Sequence, residues 1–376
     1  MSIPGLREAL DDVDRRILDL VAQRQNIVAE IGRSKSRDGR PLRDYEREKT
    51  VIDQAVAHAE TLGLDAAFVV DLMERLIHHS LATQERDAVA SLDTVADASA
   101  LVIGGAGKMG RWFVAFLRSK GYSVSIADPS AEPGPQNFAT WQEAGVDYDL
   151  VLVASPLTLT DEILTGLAAS RPRGLVIDIS SIKTAAARGL ERLRANGCRV
   201  ASIHPMFGPD TDMLSGRHLI VVDTGDPADA EAAKSLFSGT MVETLDMSLD
   251  EHDRVVAFIL GLSHALNIAF FTALARSGET AARLIRLSST TFDAQLLVAA
   301  AVARENPDLY FDIQNANRHG LLALDSLCDA AATVREVVAN GDRDAFTALM
   351  HEGQRYFAGR RREAAGGARA RRKLGR

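Results

Sequence analysis

Three glycines, Gly105, Gly107 and Gly110, stand in G-x-G-x-x-G spacing directly after a short apolar run, Leu101 to Ile103, and before an amphipathic segment, Trp112 to Ser119. That context suits dinucleotide binding: glycines permit a tight turn and close backbone approach to a pyrophosphate, while the following helix offers unpaired N–H groups to the phosphates. Lys108 and Met109 lie inside the same turn and join the expected cofactor-contacting set. Asp128 closes the next apolar run about 20 residues further on, where a carboxylate binds both ribose hydroxyls and repels a 2′-phosphate. NAD is therefore favoured over NADP. Two further groups fall at the ends of apolar runs: Ser155, before Pro156, and His204, in Ser202-Ile203-His204-Pro205-Met206-Phe207-Gly208-Pro209. Open α/β sheets build their crevice at strand C-termini, and an imidazole there is suited to proton transfer near neutral pH.

A second group of polar residues sits where periodicity asks for apolar ones. Leu6, Leu10, Val13, Ile17, Leu20, Ile27 and Ile31 follow steps of four and three, but the step after Leu20 falls on Arg24. A guanidinium on a packed seam must find a partner or a ligand. A later stripe, Val69, Met73 and Leu76, runs on into Ser80 and Gln84.

The elements that position these groups divide the chain by texture. The first helix is expected to reach about Lys35, some 45 Å at 1.5 Å per residue, too long for a domain of this size to cover. A second protomer is the natural cover, so a homodimer is expected. Gly39 and Pro41 mark a loop, a second helix begins near Asp44, and a third runs from about Asp65 to Glu85. From Ala100, short strands alternate with helices in the manner of a parallel sheet: 101–103, 123–127, 150–154, 175–179, 199–203 and 219–222. Beyond Ser248 the patterns are helical only, so no ACT-like regulatory domain is expected. The resulting reading is an all-α domain (1–90), an α/β Rossmann domain (99–248), an all-α C-terminal domain for dimerisation and substrate (249–360) and a disordered basic tail (361–376).

Composition bounds the function. Among 376 residues, 46% are hydrophobic and 25% charged, and the net charge is −8. That balance fits a soluble protein and argues against a partner bound by phosphate neutralisation, so no nucleic acid is expected. Two cysteines, Cys198 and Cys328, make neither a disulfide framework nor a metal site and suit the cytoplasm. The most apolar stretch, Val255 to Phe271, is broken by Ser263, His264 and Asn267, and no membrane span is expected.

Taken with these residues, 6–86 resembles the all-helical chorismate mutases and 100–357 resembles prephenate dehydrogenase, of a type close to the archaeal ones. Together they have the plan of the bifunctional T-proteins of tyrosine biosynthesis. The first resemblance implies a mutase site of Arg7, Arg24, Lys35, Asp44, Arg47, Glu48, Ser80 and Gln84. Arg24 and Arg47 would hold carboxylates, Lys35 and Gln84 would face the ether oxygen, and Glu48 with the Asp44 backbone would take the ring hydroxyl. Arg7 would enter the partner protomer's site. Rearrangement of chorismate to prephenate is pericyclic, so cations and amide donors suffice without nucleophile or metal. The second resemblance implies that His204 is the catalytic base, that Ser155 orients histidine and substrate beside the cofactor, and that Lys183 and His264 lie near the substrate.

One departure stands out. The family's arginine for the ring carboxylate falls six residues before the proline of a D-P-x-x-Y segment, and counting back from Pro307 reaches Ala301. Arg304, three residues later and expected on the same helix, is either the substitute from the next turn or a plain surface arginine. The missing arginine keeps open the same two reactions on 4-amino-4-deoxychorismate and 4-amino-4-deoxyprephenate, giving 4-aminophenylpyruvate. A non-catalytic dimeric sensor leaves two complete polar sets without purpose, and a 2-hydroxy-acid or imine-reducing dehydrogenase leaves 7–84 unexplained.

Overall fold

The computed structural model describes residues 2–38, 40–91 and 97–371, which fall into two compact units, Met1–Asp253 and Arg254–Arg376. The first unit opens with three helices, α1 (Ile3–Arg37), α2 (Tyr45–Leu62) and α3 (Ala66–Ser91). Asp44 starts α2 by accepting the Arg47 N–H, and Gly63, in the left-handed region at φ 68°, ends it. Helices α1 and α2 both pack on α3. Leu10, Ile17, Leu20 and Ile27 nevertheless remain 51–64% exposed, so this protomer leaves most of the α1 seam uncovered. Gly39, expected to mark the first loop, lies outside the described residues.

The rest of the first unit is one eight-stranded sheet in the order β3-β2-β1-β4-β5-β6-β7-β8. Its strands are β1 (Ser99–Ile103), β2 (Ser123–Ala127), β3 (Asn137–Phe138), β4 (Leu150–Val153), β5 (Leu175–Asp178), β6 (Val200–Pro205), β7 (His218–Val222) and β8 (Glu243–Met247). Ala100 and Val102 belong to one core while Leu101 and Ile103 belong to another, so β1 is buried on both faces. That is why the central strands read as continuous apolar runs. The expected parallel sheet needs one correction: β7 runs antiparallel to β6, and β8 is parallel to β7. The two-residue β3 and the largely exposed β8, Glu-Thr-Leu-Asp-Met, carry no apolar run and escape sequence reading.

Strand order reverses between β1 and β4, the switch point where such sheets bind ligands. After β1, Gly104 turns at φ 81°, and a Cβ there would lie 2.5 Å from the Ala154 carbonyl oxygen. Only glycine allows that approach. Helix α4 (Lys108–Ser119) follows, and its Phe113 and Leu117 are fully buried against the sheet.

The second unit is helical. Helix α9 (Leu249–Val256) passes through a π-helical turn, Ala257–Leu262, into α10 (Ser263–Arg276). This run, Leu249–Arg276, is long and apolar enough to cross a membrane by length and composition, and 22% of its most apolar window is buried. Helices α11 (Ala281–Arg286), α12 (Thr290–Val302), α13 (Pro307–Ala316), α14 (Gly320–Ala339) and α15 (Arg343–Arg371) complete it. Helix α15 carries the chain into the stretch expected as a disordered tail, and residues 372–376 lie outside the described ones.

Candidate functional sites in the helical and nucleotide-binding segments

Within the helical segment, the polar residues that broke the apolar stripes find one another. Arg24 Nη1 donates to Ser80 Oγ at 2.6 Å and to the Leu76 carbonyl at 3.1 Å. Burial lowers the Arg24 pKa from its ordinary value, yet guanidinium stays charged at any working pH. Ser80 in turn donates to Gln25 Oε1, whose amide nitrogen is buried without a partner among the described residues. Gln84 is 6% exposed and donates to the Val28 carbonyl at 2.8 Å, and a Cβ on Gly32 would press within 2.8 Å of its side chain. Lys35 donates to the Leu42 carbonyl at 2.7 Å. Glu48 is half-buried and gripped at both oxygens by Arg43, a residue the sequence reading missed. Arg7 and Arg47 are exposed, and Asp44 spends a side-chain oxygen on its cap. An incompletely covered cluster of arginine, lysine, amide and hydroxyl donors is suited to a small dicarboxylate.

At the switch point the glycines meet the test for a dinucleotide cradle. A Cβ on Gly105 would lie 2.7 Å from Ile126, and one on Gly110 would lie 2.0 Å from the Gly104 carbonyl oxygen. Gly107 caps α4 without a side-chain hydrogen bond, so the helix N-terminus is left to an anion. Lys108 opens that helix at the surface, and Met109 packs on the core. Asp128, just past β2, accepts the Ala106 N–H at 3.1 Å and the Ser130 N–H at 2.8 Å, which fixes its carboxylate beside the turn. Replacing Asp128 by Ser is expected to weaken NAD binding about tenfold or more, the worth of hydrogen bonds to a charged group, and to improve NADP. Fluorescence titration with each nucleotide checks this, and an unchanged preference would remove Asp128 from the ribose site.

His204, on β6, is 5% exposed, and its orientation is set by residues the sequence reading missed. Its Nδ1 lies 2.9 Å from His252 Nε2, and His252 Nδ1 lies 2.7 Å from Asp253 Oδ1. Asp253 also accepts from the backbone N–H groups of Lys183 and Thr184. Burial pushes Asp253 up, but the hydrogen bonds from His252, Thr184 and those backbone groups outweigh it and lower it to about 2. An ionised carboxylate can only accept, so the proton belongs on His252 Nδ1, and neutral His252 then accepts at Nε2. This assigns the remaining proton to His204 Nδ1 and leaves Nε2 with a lone pair able to accept a proton.

Two expected contacts need correction. The Ser155 hydroxyl pairs with Thr160 at 3.1 Å, and His252 rather than Ser155 orients the His204 ring. Lys183 is wholly buried, its ammonium 2.8 Å from both Asp178 Oδ2 and the Ile203 carbonyl, so it braces the strand end instead of lying open beside a substrate. Asp178 further accepts from Ser180 and Ser202.

In the second unit, His264 stacks on Tyr310 with ring centroids 4.2 Å apart, and its Nδ1 is buried without a partner among the described residues. Arg304 is exposed and lies past the end of α12, in the turn after the Ala303 cap. The expectation that it shares a helix face with Ala301 is therefore corrected, because the helix stops before it.

Three family models match successive segments of the chain. Residues 6–85 match the family described as chorismate mutase type II, residues 129–242 the nucleotide-binding domain of prephenate dehydrogenase, and residues 248–352 its dimerization domain. The second match begins after the glycine turn, so the cradle stands on its own geometry. A T-protein of Enterobacter agglomerans is 28% identical over 355 residues, covering 94% of this chain and 93% of that one. A 4-amino-4-deoxyprephenate dehydrogenase of Streptomyces pristinaespiralis is 29% identical over 268 residues, covering 67% of this chain and 88% of that one. The solved structure of prephenate dehydrogenase from A. aeolicus, in complex with hydroxyphenyl propionate and NAD+, shares the fold over 71% of this chain and 99% of its own, at 19% identity and a TM-score of 0.58.

Proposed function

We propose that this chain joins a type II chorismate mutase to a prephenate dehydrogenase and carries out both reactions: chorismate to prephenate, then NAD-dependent oxidative decarboxylation of prephenate to 4-hydroxyphenylpyruvate, in tyrosine biosynthesis. The observation that carries this reading is the match to a T-protein over 94% of this chain and 93% of that one, with mutase and dehydrogenase family models matching successive segments of the chain.

In the mutase, Arg24 and Arg47 hold carboxylates, Lys35 and Gln84 donate to the ether oxygen, and Glu48 with the Asp44 backbone receives the ring hydroxyl. Arg7 serves the partner protomer's site. Folding the substrate into a compact conformer supplies the orientation, and the donors favour the charge that develops as the C–O bond breaks. In the dehydrogenase, His204 Nε2 takes the proton of the C4 hydroxyl as carbon dioxide leaves. Asp253 and His252 hold the required tautomer, and Lys183 fixes the backbone on which His204 stands. Ser155 and His264 contact the substrate, with Arg304 the candidate for its ring carboxylate. Gly105, Gly107, Lys108, Met109, Gly110, Asp128 and Ser155 would hold NAD, which would supply the acceptor for the hydride from ring C4.

The 4-amino series is not favoured, because the T-protein match extends over both halves whereas the amino-substrate relative covers 67% of this chain. We further propose a cytoplasmic homodimer. Exposed apolar residues in both units, among them Leu20 at 64%, Leu297 at 74% and Leu321 at 74%, support association with a second copy. The deciding experiment is NADH formation from NAD with chorismate, prephenate or 4-amino-4-deoxyprephenate. Turnover of the first two to 4-hydroxyphenylpyruvate is expected, and turnover of the amino compound alone would reverse the substrate assignment.

A further inference from the structure

We propose that Arg43 is a positioning residue of the mutase site and that the nucleotide-binding segment holds it there, so that the mutase site is complete only when the helical segment is docked on the turn around Ser215. The inference rests on the mutase reading of the helical segment and adds a residue and a dependence to it.

Arg43 divides its guanidinium between the two segments. Nε and Nη2 form a fork on Glu48, at 3.0 and 3.2 Å to its two oxygens, while Nη1 donates to Ser215 Oγ at 3.0 Å, across 172 residues of chain. The Tyr45 ring lies against the guanidinium at 4.3 Å. Ser215 is 7% exposed, so its hydroxyl is no incidental surface contact. Gly216 follows at φ 74°, and a Cβ there would come within 3.3 Å of Arg43 Nη1. The turn thus brings its backbone directly against the arginine.

A second anchor stands beside the first. Glu85, next to Gln84 on α3, is 5% exposed and accepts the Leu214 N–H at 2.7 Å and the Met241 N–H at 2.5 Å, from two separate parts of the nucleotide-binding segment. Burial pushes its carboxyl up, and the backbone hydrogen bonds from Met241, Leu214 and Ser215 oppose that shift. A buried carboxylate on backbone donors is costly to undock, because separation leaves those N–H groups to be satisfied elsewhere. The docked turn continues the chain from His204: Trp112 packs on Phe207 and donates to the Thr211 carbonyl at 3.0 Å.

The fork fixes the Glu48 carboxylate in two dimensions yet leaves it lone pairs for a substrate hydroxyl. Losing the Ser215 contact frees one arm of Arg43 and loosens that placement without touching the dehydrogenase groups. In the full-length chain, Ser215→Ala is expected to lower mutase kcat/KM about fivefold to tenfold, the worth of one ordinary hydrogen bond, because Ser215 acts on the site only through Arg43. The loss should fall mainly on KM for chorismate, since Glu48 binds a hydroxyl present in the ground state. Turnover of prephenate should stay within about twofold of the parent. Ser215→Thr, which keeps the hydroxyl, should recover most of the loss. Arg43→Lys, which keeps the charge but loses the fork, should not match the parent. Parental mutase kinetics in Ser215→Ala, or a loss that Thr does not recover, would overturn the inference while the mutase reading survives. A parent chain that does not rearrange chorismate would overturn both.

Discussion

Exchanging His204 for Asn is expected to lower dehydrogenase turnover by about 10²- to 10⁴-fold, the range of a general base, while chorismate rearrangement continues at the parental rate. The two activities separate because the mutase residues and His204 stand on different elements and the rearrangement needs no base. The pH profile gives a second reading of the same group. Burial lowers the His204 pKa well below 6.5, and His252, whenever it carries a proton charge, and Lys183 lower it further against the pull of Asp253. A base works in its neutral form, and its protonated fraction grows only as pH falls through the depressed value. The acid limb of kcat/KM for prephenate should therefore lie below pH 6.5. Asp253, lowered to about 2, stays ionised across the assay range and adds no limb of its own. Asp253→Asn should nevertheless cost about 10²-fold or more, since an amide can donate to His252 and so permit the opposite tautomer at His204. Steady-state assays of both activities from pH 5 to 9 check these points, and an acid limb at or above 6.5 in the parent would contradict the buried, neutral base.

Sequence revealed most where a residue conflicted with its surroundings. Arg24, Ser80 and Gln84 were visible because each interrupts an apolar stripe, and the structure puts Arg24 on Ser80 across 56 residues of chain. The glycine turn was visible because close approaches fix its glycines: a Cβ on Gly105 would meet Ile126 and one on Gly110 the Gly104 carbonyl, which also crowds Gly107 at 3.2 Å. His252 and Asp253 stayed hidden for the opposite reason. They sit in Asp250-Glu251-His252-Asp253-Arg254, a run that reads as a solvated helix start, and only the tertiary fold turns these two wholly inward. Arg43 and Glu85 were hidden likewise, since a charged residue in a polar loop or beside a helix end carries no periodicity signal, and Ser215 and Leu214, which they meet, lie more than a hundred residues away. Lys183 was legible as special but misread in role, because spacing places a residue near a strand end without saying whether its side chain faces the crevice or the core. The antiparallel β7 shows the same limit: a buried strand's apolar run is the same read in either direction.

Gln84→Ala should cost the mutase about 10²- to 10³-fold in kcat, the usual consequence of removing a preorganised donor from developing charge. Gln84 is held by its hydrogen bond to the Val28 carbonyl and by the close backbone of Gly32, so its amide is already aimed before substrate arrives. A donor of this kind acts in the transition state, and its loss should appear in kcat with little change in KM. Arg24→Ala should behave differently. One guanidinium nitrogen is spent on Ser80 and Leu76, which leaves the rest of the fork to the substrate carboxylate proposed for it, a group charged in the ground state as well. Its removal should therefore raise KM together with any fall in kcat. Because Gln84 also ties α3 to α1, each variant needs a melting curve beside its kinetics, and dehydrogenase activity with prephenate serves as an internal control for folding. If Gln84→Ala keeps kcat within about fivefold of the parent in a folded protein, the ether oxygen is not its partner, and Lys35 alone would have to supply the donor.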